Sequence, residues 1–216
     1  MQDEHWHPEG DVLVHTLLVV DEAARLARER KLSAQDKLIL MFAALCHDLG
    51  KPLTTVTDAR GKLISPNHGQ AGIKPSVSFL QSIGVPRRLM QHVTPLVKEH
   101  VAHFSGEVTP RAVKRLAKRL APSNIQMWEM LTEADACGRN PAPRSRPALA
   151  WLELAKKLDV EEQAASAIVT GKLLLVWGMV GSSEMGKVIN QAYEAQMDGL
   201  FDDEVSAKAW YKSNIL

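Results

Sequence analysis

LILMFAALCHDLG, residues 38–50, joins an unbroken apolar run to a His–Asp pair and a glycine. The run is helical in character, and Ser33 with Asp36 three residues later forms a capping box at its start. Gly50 reads as the residue just past the helix end, and Pro52 blocks continuation. A buried, ionised Asp48 at the end of such a run is expensive unless it is paired or holds a metal. Successive helix residues point about 100° apart, so His47 and Asp48 reach one ion most easily at a helix end, where Gly50 puts them. Imidazole and carboxylate together suit Mn, Fe, Co, Ni or Zn. The alternative is that Asp48 caps a neighbouring helix and His47 is merely packed.

Working outward, helical periodicity dominates, and the fold class is all-α. From Asp11 to Arg30, Val14, Leu17, Leu18 and Ala24 recur at three and four, with Glu and Arg facing outward; His15 lies within this helix. Residues 51–66 (KPLTTVTDARGKLISP) lack the period and contain Asp58, Gly61 and Pro66, which predicts a functional loop with room for a short hairpin. A third helix runs through IKPSVSFLQSIG (73–84), where Pro75 implies a kink or a late start. Pro86 opens a fourth helix at its first position, and Thr109–Pro110 are the cap and first residue of a fifth. Ser123 caps a sixth, IQMWEMLTEADACG (125–138), where Asp135 repeats the anomaly of a carboxylate on a mostly apolar helix.

RNPAPRSRPA (139–148) breaks the pattern with Pro141, Pro143 and Pro147, dividing the chain into 1–140 and a smaller helical region, 141–216. Helices are expected at 148–158 and 160–170. A final pair is bounded by Gly181-Ser182-Ser183 and Asp198-Gly199. Trp210, Tyr211 and Ile215 pack on the body or form an interface. No convincing strand pair, low-complexity tract or repeat is present.

The 216 residues suffice for a substantial core, with 45% apolar and 24% charged residues. A net charge of +1 confines any basic surface to a local patch. The opening MQDEHWHPEG lacks the features of a signal peptide, and no apolar run is long enough to cross a bilayer. Cys46 and Cys137 give no disulfide framework and read as small buried side chains. A cytoplasmic protein is expected.

The pattern His15, then His47–Asp48 within LCHDLGK, then Asp135 within EAD resembles the HD-domain metal-dependent phosphohydrolases. More narrowly, the chain resembles the HD region of bacterial tRNA nucleotidyltransferases, the CCA-adding enzymes. The matching segments are HPEGDVLVHTLLVVDEAA, FAALCHDLGKP, NHGQAGIK, LVKEH, TPRAVKRLAKRL and EADACGRNP, together with the tail from Gly171 to Trp210. The resemblance implies an HD-domain helical bundle with a C-terminal helical extension. It implies a core metal set of His15, His47, Asp48 and Asp135. His68 and His100 match positions that hold a second ion in binuclear members, with Asp48 as the bridge. One or two divalent ions are implied: Ni, Mn, Co, Fe or Zn, with Mg an option. His103 either lines the site or lies on the surface; His5, His7 and His92 read as surface residues, His7 alternatively capping the first helix. Lys51 and Arg139 are placed to meet phosphate oxygens, the bland reading of both being solvated loop charges.

The resemblance suggests 2′,3′-cyclic phosphodiesterase, 2′-nucleotidase or phosphatase activity on nucleotides or RNA ends, by in-line attack of metal-bound hydroxide on phosphorus. One departure matters. In that family nucleotidyl transfer resides in a separate N-terminal domain, and this chain begins where that domain would already have ended, so CMP or AMP transfer is not expected of it. Arg111, Lys114, Arg115, Lys118 and Arg119 recur at three and four as a cationic stripe. It is either a solvated helix face or a surface for RNA. The competing classes are an active phosphohydrolase, a non-catalytic RNA- or partner-binding module, and a phosphatase of free nucleotides. Oligomeric state is open.

Overall fold

The computed structural model describes residues 10–104, 106–139 and 144–216; His5, His7, Pro141 and Pro143 lie outside them. Helix α1 (Val12–Glu29) is capped by Asp11, whose carboxylate accepts from Leu13 N at 2.7 Å. Its buried face is His15, Val19, Ala23 and Leu26. The apolar stripe expected on this helix is displaced by about one residue's turn, since Val14 and Leu17 are exposed. Both sets satisfy the three-and-four spacing, and the polar His15 is what an apolar count leaves out.

Helix α2 (Ala34–Cys46) starts at Ser33, which accepts from Asp36 N as expected, and gives way at His47. Gly50 keeps right-handed helical angles, and Lys51 begins a new one-turn helix α3 (Lys51–Thr54), with Pro52 in its first turn. Gly50 is therefore not a left-handed cap. Its role is close approach: a Cβ there would sit 1.9 Å from the carbonyl oxygen of His68.

The loop forms a small antiparallel hairpin, β1 (Val56–Thr57) with β2 (Leu63–Ile64), pairing Val56 with Ile64 and Thr57 with Leu63. There follow α4 (His68–Ala71), α5 (Ile73–Ser82) and α6 (Arg87–Glu99). Pro75 is the third residue of α5, where a backbone N–H has no partner to lose, so the helix begins at Ile73 without a late start. Pro86 precedes α6 as its cap rather than its first residue.

Helix α7 (Pro110–Leu120) opens as expected, with Thr109 accepting from Ala112 N. Helix α8 (Ile125–Cys137) is capped by Asn124, not Ser123: the Asn124 side chain accepts from Met127 N at 2.8 Å from an extended backbone. Helix α9 (Leu149–Lys157) matches expectation. The helix expected over 160–170 does not form; that stretch is an irregular connection to α10 (Gly171–Val176), α11 (Glu184–Met197) and α12 (Glu204–Asn214).

Two apolar clusters organise the chain. The first gathers Leu26, Leu40, Leu80, Leu96, Leu116, Trp128 and Leu131 from α1, α2 and α5 to α8, and α9 adds Trp151, Leu152 and Ala155 from beyond residue 140. Fully burying a side chain of this kind contributes about 1.5–3 kcal/mol. The second holds Val169, Leu174, Val188, Ala192, Phe201 and Tyr211, with Trp210 and Ile215 packed against it. Cys46 is buried and Cys137 half-buried, both as free thiols. Among the described residues no helix is long and apolar enough to cross a membrane.

Candidate metal centre

Helix α2 ends between α1, α6 and α8, and the polar residues on these elements meet inside the first core. His15 from α1 is fully buried, His47 and His100 are 1% exposed, and Asp48 and Asp135 are 3% and 6% exposed. His15 Nε2 lies 3.0 Å from Asp135 Oδ1. His47 Nε2 lies 3.2 Å from Asp48 Oδ2 and 4.0 Å from Asp135 Oδ1. On the other side of Asp48, Oδ1 is 3.5 Å from His68 Nε2 and 3.9 Å from His100 Nε2, and those two nitrogens are 3.0 Å apart. Two donor groups result, His15–His47–Asp48 and Asp48–His68–His100, sharing Asp48. All six residues expected to ligate metal are brought together.

A single local device aims three of the imidazoles. His47 Nδ1 donates to Ala44 O at 2.7 Å, His68 Nδ1 to Ser65 O at 2.7 Å, and His100 Nδ1 to Val97 O at 2.6 Å. Each acceptor is three residues upstream. His47 and His100 sit at the ends of α2 and α6, where last-turn carbonyls lack helical partners. The bond satisfies the carbonyl, places a proton on Nδ1 and turns Nε2 toward the centre, the atom a metal would take. This holding role for Ala44, Ser65 and Val97 was invisible in the sequence, because backbone carbonyls carry no residue signature.

The electrostatics favour a cation. Burial opposes a charge on His47, but Asp48 and Asp135 outweigh it and raise the imidazole to about 9. Burial also works against ionised Asp48, yet His47 and Lys51 hold it well below the usual carboxylate range. Asp135 is likewise depressed: burial opposes its charge, and the His15 hydrogen bond and His47 overcome it. Burial, with His47 and His68 nearby, lowers His100 to about 3, so it is a neutral donor at neutral pH. His47 Nε2 is buried with no hydrogen-bond partner among the described residues. Carboxylates that favour positive charge, beside an orphaned imidazole nitrogen, fit a divalent transition ion.

Lys51 is buried, with Nζ 2.7 Å from Asp48 Oδ2, so here it neutralises the shared carboxylate. Arg139 is half-buried just after Gly138; burial lowers the His103 imidazole from its ordinary value, and the Arg139 charge adds to that. Gly138 brings the end of α8 onto α1: a Cβ would lie 2.6 Å from Val19 Cγ2. His103 is half-buried, its ring centroid 3.9 Å from that of Phe104, and feels Asp135. His92 is half-buried on α6.

Of the α7 stripe, Arg111 and Arg115 pair with Asp198 at 2.7 and 3.0 Å. Arg115 and Lys118 pair with Glu194 at 3.0 and 2.8 Å, and Arg119 with Glu99 at 2.9 Å. Lys114 is half-buried. Sequence reasoning misses a second charged cluster: fully buried Glu129 and neighbouring Glu133 are clamped by Arg30 and Arg146. Its signal was two carboxylates four apart on an apolar helix.

A Multifunctional CCA protein of Actinobacillus pleuropneumoniae serotype 5b (strain L20) is 32% identical over 173 residues, covering 74% of this chain and 40% of that protein. The Multifunctional CCA protein of Polaromonas naphthalenivorans (strain CJ2) is 32% identical over 181 residues, covering 79% of the chain and again 40% of the relative. The chain thus spans well under half the length of these curated relatives. No solved structure matches it significantly. The HD domain family model matches residues 12–164, a span that contains every residue of the two donor groups, and the chain belongs to that family of metal-dependent phosphohydrolases.

Proposed function

We infer that the chain hydrolyses phosphate esters of nucleotides or RNA ends. The observation that carries this reading is Asp48, whose two oxygens face separate histidine groups within one buried centre. A divalent metal bound there supplies Lewis acidity at the phosphoryl group and acidifies water. The chain's own residues do the rest. His47, His68 and His100 turn Nε2 toward the centre, His15 joins them beside Asp135, and Asp48 and Asp135 hold negative charge in a low-dielectric setting. Lys51 is poised to exchange Asp48 for a phosphate oxygen, and Arg139 lies beyond Asp135 to offset charge on the equatorial oxygens. The resemblance to CCA-adding enzymes supports a nucleotide or RNA terminus as substrate, with 2′,3′-cyclic phosphates first among the candidates. RNA reaching the α7 stripe would exchange with Glu194 and Asp198, so its affinity would fall steeply with salt.

The test is Asp48→Ala with 2′,3′-cyclic AMP and Mn, Co, Ni, Fe or Zn in turn. The variant is expected to lose bound metal, measured by elemental analysis, and to lose turnover. Undiminished hydrolysis by the variant would sink the reading. Absence of both metal and turnover in the wild-type chain would favour a non-catalytic binding module.

A further inference from the structure

The hairpin between α3 and α4 half-buries Leu63 on one face and leaves its other face, Val56 and Ile64, exposed. Val56 is 52% exposed and Ile64 40%, although the two pair directly across the strands. An isolated two-stranded hairpin is marginal in water and is ordinarily held by packing. Here polar bonds hold it. At the tip, Asp58 Oδ1 accepts from Arg60 N and Lys62 N at 2.8 and 2.9 Å, and Gly61 takes φ +77°. At the base, Thr55 Oγ1 donates to Lys51 O at 2.7 Å, so Ser65 Oγ, 2.8 Å from it, donates in turn to Thr55. The base is also continuous with the metal centre on both sides. Lys51 pairs with Asp48, and the Ser65 carbonyl orients His68.

We propose that this hairpin is the substrate-reading arm of the centre, its Val56–Ile64 face packing on the nucleoside next to the scissile phosphate and Arg60 meeting a further phosphate. The inference rests on the phosphohydrolase reading and names what that site discriminates. Charge supports the occupant. The arm carries Arg60 and Lys62, while the tip carboxylate of Asp58 is turned into its own backbone amides. An aliphatic face flanked by cations complements a nucleoside phosphate, whereas a second copy of the arm would bring like charges together.

The probing variant is Val56→Thr with Ile64→Thr, which keeps β-branching and strand preference while removing the apolar face. The substrates are 2′,3′-cyclic AMP, a short oligoribonucleotide ending in a 2′,3′-cyclic phosphate, and glycerol 1,2-cyclic phosphate, which has no base. With metal content matched, KM for the nucleoside substrates should rise about tenfold relative to glycerol cyclic phosphate. A rise for cyclic AMP alone assigns the face to free nucleotides; a rise for the oligonucleotide, enlarged by Arg60→Ala, assigns it to RNA ends. Equal KM ratios in variant and wild type overturn the arm, as does a change of oligomeric state with KM unmoved. If the wild-type chain hydrolyses none of the three, the phosphohydrolase reading falls. Anisotropy of a labelled oligonucleotide bearing a 3′-phosphate then decides the arm alone, equal affinity in variant and wild type overturning it.

Discussion

The two apolar clusters use similar aliphatic side chains but accept different company. The first encloses His15, His47, Asp48, His100, Glu129 and Asp135, each under a tenth exposed. In the second, the buried polar side chain among the described residues is Gln196, an uncharged amide that accepts from Ile168 N and donates to Ser166 O. Burying an ionisable group costs several kcal/mol unless partners offset it. Chains therefore concentrate that cost where something is gained by it. Glu129 is offset by Arg30 and Arg146 and has a structural account. The His–Asp group is arranged instead around Asp48, with His47 Nε2 left over. The contrast sets apart the first core, which holds the candidate metal centre, from the second, which is built of apolar side chains around one amide.

The largest expected effect tests that division directly. Asp135→Ala removes the partner of His15 and one of the charges raising His47, and should lower both bound metal and kcat by a hundredfold or more, on the order expected when a metal site loses a ligand. Tyr211→Ala in the second core should cost about 3 kcal/mol or more of stability while leaving kcat per folded molecule intact. Elemental analysis, turnover and melting of both variants check this. A Tyr211 variant that lost turnover while folded would break the comparison.

The division was only partly legible in the sequence. Caps at Ser33 and Thr109 were readable because one side chain and one nearby amide decide them, whereas the Asp11 cap of α1 emerged only in the structure. The face of α1 was not, because two overlapping sets of residues share the helical period and tertiary contact selects the one containing His15. The missing helix at 160–170 has a similar cause. Glu161 O, Ala165 O and Ser166 O accept from Gln126 N, Tyr193 and Gln196, so tertiary bonds displace helical ones. At the centre, His47 and Asp48 were suspect from their apolar surroundings alone. His68 and His100 rest on separate elements 32 residues apart, and only family resemblance joined them beforehand.

A smaller effect follows from the charges in the metal-free protein. His47 is raised to about 9, so its contribution is complete below the unfolded value near 6.5 and is lost as pH rises through about 9. His100 is lowered to about 3, so between about 6.5 and 3 the unfolded chain binds a proton that folded His100 refuses, and acidification costs stability. Asp48 and Asp135 are depressed, so their contribution is present above about 4 and fades only toward their low folded values. Chelator-treated protein should therefore melt highest near pH 6 to 7, about the ordinary histidine value, and lower on either side. His47→Gln should flatten the alkaline limb. A melting temperature unchanged from pH 6.5 to 9 in the wild type would contradict the charge balance around His47.

The smallest effect lies where the two regions meet. Helix α11 faces α7 through Glu194 and Asp198 against Arg111, Arg115 and Lys118. All five side chains are 28% exposed or more, and exposed pairs are each worth about 0–1 kcal/mol. Glu194→Gln with Asp198→Asn should thus lower stability by about 1 kcal/mol at low salt. The loss should vanish near 1 M salt, where the Debye length is about 3 Å. The same variant uncovers three cations of the stripe. If RNA runs along α7, the variant should bind a short RNA more tightly than wild type at low salt and show a steeper salt dependence. Unchanged RNA affinity alongside the expected loss of stability would make the seam structural and confine recognition to the centre and its arm. The comparison would then sharpen to one core that acts and one that is fastened to it by charge.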